Sequence, residues 1–298
     1  MQKLTVKKPP LKNRVLIDYF YAKNLLKKQL LDLGIIFFNT AEEYEDWSSG
    51  RLDKSSIAKL IKKKYLDYII KNNKNYNYKF SFKFYDLVAS YKVLQIISLS
   101  KKSHDILKYG NSMLHNFKFN CNILDLGCNI GYLSAFYSKI LIGSSIIGFD
   151  RSKKSIERAK KLFKNQRFPN LTFTDNFNIL SDDSIDYISD TQCLCTLGKK
   201  ELLNTVGLIK SKLKDDGELI SISNLPNEII AKEFLRALKS KGFFLHNIKP
   251  LLLNNINGMQ AYTELVFKTK YVDININVNL YFENIRKKIS IVNLSNLI

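Results

Sequence analysis

Residues 125–131 read Asp125-Leu126-Gly127-Cys128-Asn129-Ile130-Gly131, between an apolar run, Cys121–Leu126, and an amphipathic one, Tyr132–Ile142. A short β-rich run, a loop with two glycines and a helix that starts at once form the first half of a βαβ unit. Gly127 and Gly131 let the backbone turn tightly and pass close to a ligand. Asn129 stands between them, and asparagine is among the side chains that best tolerate left-handed backbone. The free N–H groups of the following helix favour the negative end of a ligand.

The same alternation continues toward the C-terminus. Further strands are expected at Ser145–Asp150, Leu171–Thr174, Ile185–Ser189 and Glu218–Ser223. Helices are expected between them, at Ser152–Asn165 with Ser152 as N-cap and at Glu201–Leu213. After a helix at Asn227–Lys241, the runs Phe244–Lys249 and Ala261–Lys268 read as an antiparallel pair at one edge. The expected fold is therefore α/β: a Rossmann-like, doubly wound, mostly parallel seven-stranded sheet with helices on both faces. Residues 118–270 would form this domain, and residues 271–298 an extension of no assigned role.

Ligands of open α/β sheets sit beyond the carboxyl ends of the strands, where the strand order reverses. Asp150 closes the second strand 19 residues after Gly131, where a carboxylate can accept hydrogen bonds from ribose hydroxyls. Asp175 follows the third strand, within reach of an adenine amino group. A structural role competes for each alone, Asp150 as a cap of the Ser152 helix and Asp175 as a turn residue. Together with the loop, a nucleoside site accounts for them better.

On these residues the chain resembles the class I S-adenosylmethionine-dependent methyltransferases, over roughly residues 118–268. Asp125–Gly131 is similar to motif I of that family, Ser184–Ser189 to its fourth strand, and Lys212–Ser223 to its fifth-strand segment. The resemblance implies S-adenosylmethionine as cofactor. It implies that Asp125 lies at the methionine end, that Gly127, Cys128, Asn129 and Gly131 form the approach loop, and that Asp150 meets the ribose, with Arg151 also in the cofactor site. It further implies Asp175, Asn176 and Phe177 around the adenine, with Asp190 and Thr191 facing the methionine and the methyl acceptor. A nicotinamide dehydrogenase would place G-x-G-x-x-G against a pyrophosphate. Here G-x-N-x-G follows a carboxylate, which suits a cationic amino group better.

Residues 1–117 read as a helical N-terminal region that covers the cofactor and shapes the acceptor pocket. Val15, Tyr19, Ala22, Leu26, Leu30 and Leu33 mark one helix, closed by Gly34. Thr40–Gly50 reads as an acidic turn, and Tyr44, Trp47 and Arg51 offer contacts to a ligand there. Further helices are expected at Ile57–Ile69, Phe84–Leu94 and Lys102–Asn116, with a loop at Lys71–Lys79.

The net charge is +20, and residues 1–110 hold 22 Lys and Arg against 10 Asp and Glu. That balance admits an RNA acceptor. Yet only seven of the 47 basic residues are arginine, the preferred reader of phosphates and bases, so most of the charge reads as solvated surface. After the fourth strand the residues are Asp190-Thr191-Gln192-Cys193, not an Asn/Asp-Pro-Pro-aromatic motif, which speaks against methylation of exocyclic base amines. A small-molecule acceptor leads, with an RNA methyltransferase or a non-catalytic cofactor-binding protein as alternatives. Asp190 is the one candidate base. No metal site is expected from three scattered histidines, and Cys121, Cys128, Cys193 and Cys195 read as buried free thiols. No membrane span or leader is expected, and the expected location is cytoplasmic.

Overall fold

The computed structural model describes residues 11–53, 86, 88–164, 167–225, 227–255, 258–271 and 279–285. The expected helix at Ile57–Ile69, the loop at Lys71–Lys79 and most of the C-terminal extension lie outside these residues. The N-terminal region supplies α1 (Leu11–Asp32), α2 (Ala41–Asp53), α3 (Lys92–Ser100) and α4 (Ser103–Leu114). The α/β portion follows as β1 (Asn122–Leu126), α5 (Tyr132–Ile140), β2 (Ser145–Phe149), α6 (Lys153–Leu162), β3 (Leu171–Thr174) and β4 (Ile185–Thr191). It ends with α7 (Lys199–Lys212), β5 (Leu213–Ser223), α8 (Glu228–Lys239), β6 (Phe244–Asn255) and β7 (Gly258–Lys268).

The seven strands are ordered β3-β2-β1-β4-β5-β7-β6. All pairs from β3 through β5 are parallel, and β7 runs antiparallel to both β5 and β6. This is the expected doubly wound sheet with an antiparallel edge pair. The chain winds one way from β1 to β3 and then returns to β4 beside β1, so a crevice opens at the carboxyl ends of β1 and β4. The expected fifth strand is longer than its β-like run. Its pairing jumps from Ile185–Leu213 to Tyr187–Glu218, leaving the Asp215-Asp216-Gly217 stretch as an irregularity within β5.

Caps fix several helices as their sequences suggest. Ser152 Oγ accepts the Ser155 N–H, and Asn227 Oδ1 accepts those of Ile229 and Ile230. Gly34 takes φ +84 just past α1. The segment expected as a turn, Thr40–Gly50, is instead helical as part of α2. Thr40 Oγ1 accepts the Glu43 N–H and Glu43 Oε2 accepts that of Asn39, a variant of the capping box that starts the helix. Glu42 and Glu43 in its first turn and Arg51 in its last suit the helix dipole. The third expected helix is interrupted: Asp86 and residues 88–90 are helical, Tyr91 is extended, and α3 begins after it.

The N-terminal helices do not stand apart from the sheet. Ala22, Leu26 and Leu30 of α1, with Ile106 and Met113 of α4, share one buried cluster with Leu133 and Phe136 of α5. A Cβ on Gly110 of α4 would lie 2.6 Å from Leu26 and 3.1 Å from Leu133, so only glycine lets these three helices approach so closely. The packing sets α3 and α4 over the crevice.

Candidate functional site

Loop 127–131 is held by the strand beside it. Gly127 and Cys128 both donate their N–H to the Phe149 carbonyl, at 2.8 and 2.9 Å. Gly127, Asn129 and Gly131 take φ of +73, +53 and +79. The two glycines are required by protein neighbours: a Cβ on Gly127 would meet Cys193 at 2.6 Å, and one on Gly131 would meet the Phe173 ring at 2.3 Å.

Asp150 ties the loop to α6. Its Oδ2 accepts the Asn129 N–H and its Oδ1 the Ser152 N–H, both at 2.8 Å. It therefore does cap the region before α6, and it also lines a cavity of about 370 Å³ at the carboxyl ends of β1, β2 and β4. Of the residues singled out from sequence, Gly127, Asn129, Asp150, Arg151, Thr191 and Cys193 line this cavity. Its roof comes from α3 and α4, through Ser98, Leu99, Lys102, Ile106 and Tyr109. Sequence reading does not single out these roof residues; they carry no motif and are brought to the site by the packing of α4.

The other singled-out residues stand behind or beside the cavity wall. Asp125 is buried and accepts from Ser134 Oγ at 2.5 Å. Asp190 is fully buried: one oxygen accepts the Cys193 and Leu194 N–H groups, the other the Ser221 hydroxyl at 2.6 Å. Asp190 thus shapes the turn after β4. Cys128 and Gly131 lie within the loop. Asp175 is half-buried in the turn after β3, and Asn176 is exposed, its side chain accepting the Asn178 N–H at 2.9 Å. Phe177 reaches the cavity indirectly, its ring centroid 4.0 Å from that of Phe149, which lines it. Tyr44 and Trp47 pack with Phe38, and Arg51 lies over the Trp47 ring at 4.8 Å; none of the three lines the cavity.

Three carboxylates gathered at one place repel each other, and burial deprives them of water. Burial, reinforced by the charges of Asp150 and Asp190, pushes Asp125 up to about 7 despite the Ser134 hydrogen bond. Burial pushes Asp190 up to about 6 against its hydrogen bonds to Ser221, Leu194 and Cys193. Asp150 is raised by burial too, opposed by the Ser152 and Asn129 N–H groups. Among the described residues, Asp125 and Asp190 have no salt bridge. Burial thus disfavours the charged forms here, and a cation placed beside them would favour ionisation.

A pH dependence follows. Asp125 and Asp190 bind their protons more tightly in the folded chain than in the unfolded one, where the ordinary value is 3.8. Their favourable contribution is complete below about pH 4 and is lost as pH rises through 6 to 7. At roughly 1.4 kcal/mol per pKa unit, the loss is on the order of a few kcal/mol. Urea unfolding of the ligand-free chain at pH 5 and pH 8 should show it, with Asp125→Asn flattening the difference. An unchanged pH slope in that variant would remove Asp125 as its source.

The thiols are quiet. Burial pushes those of Cys128 and Cys193 far up, and that of Cys195 to about 12, so none is poised as a nucleophile. All four cysteines are free, but only Cys121 and Cys128 are buried as expected, Cys193 and Cys195 being half-buried; no cluster of metal-ligating side chains occurs among the described residues. Nor is any described helix long and apolar enough to cross a membrane.

Residues 117–269 match the family model of the methyltransferase domain. Comparison with curated protein sequences gives no match. Among solved structures, the chain is similar to a TehB-like S-adenosylmethionine-dependent methyltransferase of Corynebacterium glutamicum, with 20% identity, 61% of this chain and 98% of that one covered, and a TM-score of 0.48. For a S-adenosylmethionine-dependent methyltransferase of Aquifex aeolicus the values are 16%, 53%, 88% and 0.43. For geranyl diphosphate C-methyltransferase of Streptomyces coelicolor they are 13%, 58%, 86% and 0.45.

Proposed function

The chain belongs to the class I methyltransferase-domain family, and from that premise we propose that it transfers a methyl group from S-adenosylmethionine to a small-molecule acceptor. One observation carries the reading: the cavity at the β1/β4 crossover has Asp150 on its wall, with Asp125 and Asp190 behind, and a roof made by the chain's own N-terminal helices. At about 370 Å³ it falls within the usual small-molecule range of roughly 300–1,000 Å³.

The residues fit that cofactor by their chemistry. The donor brings a sulfonium, an ammonium and two ribose hydroxyls, all of which seek acceptors or negative charge. Asp150 has lone pairs left beyond the two backbone N–H groups and faces the cavity, so it serves the ribose, with Arg151 beside it. Asp125 and Asp190 lie behind the wall and act through field and loop shape. Phe149, backed by Phe177, offers an apolar face on the adenine side, and Asp175 and Asn176 flank that end.

Bound there, the cofactor supplies a methyl carbon whose bond to sulfur breaks as the acceptor atom's lone pair attacks, the electron pair staying on sulfur. The chain's task is alignment and exclusion of water. Leu99 and Ile106 close the roof over the crevice with apolar surface, and Thr191 stands at the carboxyl end of β4. Asp190 is fully enclosed and occupied by three donors, so its part is to position Thr191 and Cys193. An acceptor proton then leaves to solvent or to a group on the acceptor.

Asp150→Ala is expected to weaken binding of S-adenosylhomocysteine at least tenfold, about 1.4 kcal/mol, by calorimetry. The variant also frees two loop N–H groups, so Asp150→Asn serves as a companion that keeps the side chain's size. Wild-type affinity in both variants would remove Asp150 from the cofactor site.

A further inference from the structure

We propose, on the reading of the cavity as a methyl-transfer site, that the acceptor is a small anionic molecule bound under α4, its charge held by Lys102 and Arg151 and one of its oxygens by the Tyr109 hydroxyl. Charge is divided within this one cavity. Asp150 lines its inner wall with Asp125 and Asp190 behind it, whereas its rim holds Glu201 and the two cations among its lining residues, Lys102 and Arg151, both exposed. Further exposed lysines follow at the same end of the sheet: Lys101 before α4, Lys153 and Lys154 at the start of α6, and Lys199 and Lys200 at the start of α7. Arg151 is 3.7 Å from Glu201, and Lys102 has no salt bridge among the described residues. A cationic methyl donor belongs against the inner wall at Asp150. An acceptor entering past this rim meets the opposite field, which raises the local concentration of anions and repels cations.

Tyr109 supplies the second, independent observation. It is 3% exposed, lines the cavity, and its hydroxyl has no well-aligned hydrogen-bond partner among the described residues. The Tyr262 hydroxyl is its polar neighbour, acting on it by charge and by a hydrogen-bond contact outside good alignment. Its ring is fixed against that of Tyr262, with centroids 5.3 Å apart, so the hydroxyl cannot swing out to water. A buried hydroxyl left unsatisfied is costly, and such groups are found where a ligand completes them. The Thr191 hydroxyl on the cavity wall also lacks a well-aligned partner, with the Tyr137 hydroxyl beside it. Both can donate to oxygens of a carboxylate or a phosphate.

The test incubates the full chain with methyl-labelled S-adenosylmethionine and a cell extract split into small-molecule, protein and nucleic-acid fractions. The labelled small molecules are then separated on an anion-exchange column. Label is expected on a retained, anionic small molecule; phosphatase treatment of the extract beforehand abolishes it for a phosphate and spares it for a carboxylate. Lys102→Glu should cut labelling at least tenfold and Lys102→Arg should restore it, with S-adenosylhomocysteine affinity within twofold of wild type. Tyr109→Phe should also cut labelling tenfold while raising the melting temperature of the free protein, because it deletes a buried unsatisfied hydroxyl. Label on a neutral or cationic molecule, on protein or on RNA overturns the proposal, as does a tenfold loss of S-adenosylhomocysteine affinity in Lys102→Glu, which would assign Lys102 to the cofactor. Absence of label from every fraction, with S-adenosylhomocysteine still bound, overturns methyl transfer itself.

Discussion

Replacing Gly131 with alanine is expected to cost about 3 kcal/mol of folding stability, from overpacking and from left-handed backbone together. The added Cβ would stand 2.3 Å from two atoms of the Phe173 ring and 3.3 Å from the Ala159 side chain. The ring has nowhere to go. Phe173 is buried, the Phe163 ring lies 6.2 Å away, and the ring already rests on Gly148, where a Cβ would come within 2.6 Å. The backbone at Gly131 also holds φ +79, which costs an L-residue about 1–2 kcal/mol. Gly207 in α7 is the control: nothing lies within 4 Å of the Cβ it would gain, and alanine there should add up to about 1 kcal/mol of stability. Urea unfolding of the two variants should therefore move in opposite directions. A loss under about 1 kcal/mol for Gly131→Ala would mean that the loop and β3 yield easily, contrary to a tightly packed interior.

The same glycine shows how far the sequence can be read. Spacing locates the loop, the strands around it and the crossover, because periodicity and turn residues are local properties. It assigns the glycines to ligand approach, whereas Cys193 and Phe173 occupy the space beside them. Those contacts join segments some 40 to 65 residues apart, and no one-dimensional pattern encodes them. Asp150 reads as either cap or ligand residue, and its geometry serves the cap while still facing the cavity. The capping pair Thr40 and Glu43 is legible in principle, but the acidic, apolar-poor composition of α2 hides its helical period. Lys102 and Tyr109 are beyond reach: on α4 they resemble any exposed lysine and any packed tyrosine until the helix is set over the crevice.

What sets it there leads to the second large effect. Glu264 of β7 has no exposed side-chain surface and forms a salt bridge with Lys249 of the neighbouring strand at 2.7 Å. Its other contacts are to α4 and the residues just after it: Asn116 Nδ2 donates to it at 3.0 Å, and the Ser112 hydroxyl donates to its second oxygen. One buried carboxylate thus fastens the roof helix to the antiparallel edge of the sheet. Glu264→Ala leaves the Ser112 hydroxyl without its acceptor and should cost about 3 kcal/mol, the lower end for breaking a buried pair, because half-exposed Lys249 can turn to water. Glu264→Gln keeps an acceptor for one of these two donors and should lose about 1–2 kcal/mol. Hydrogen exchange separates anchoring from general instability. Amides of α4 should exchange faster in Glu264→Ala under native conditions while those of β1 keep their protection relative to global unfolding. Uniform acceleration across both elements would make Glu264 an ordinary core contact. Selective loosening of α4 would tie the roof over the crevice, and with it Tyr109 and Lys102, to a carboxylate on the opposite side of that helix's footing.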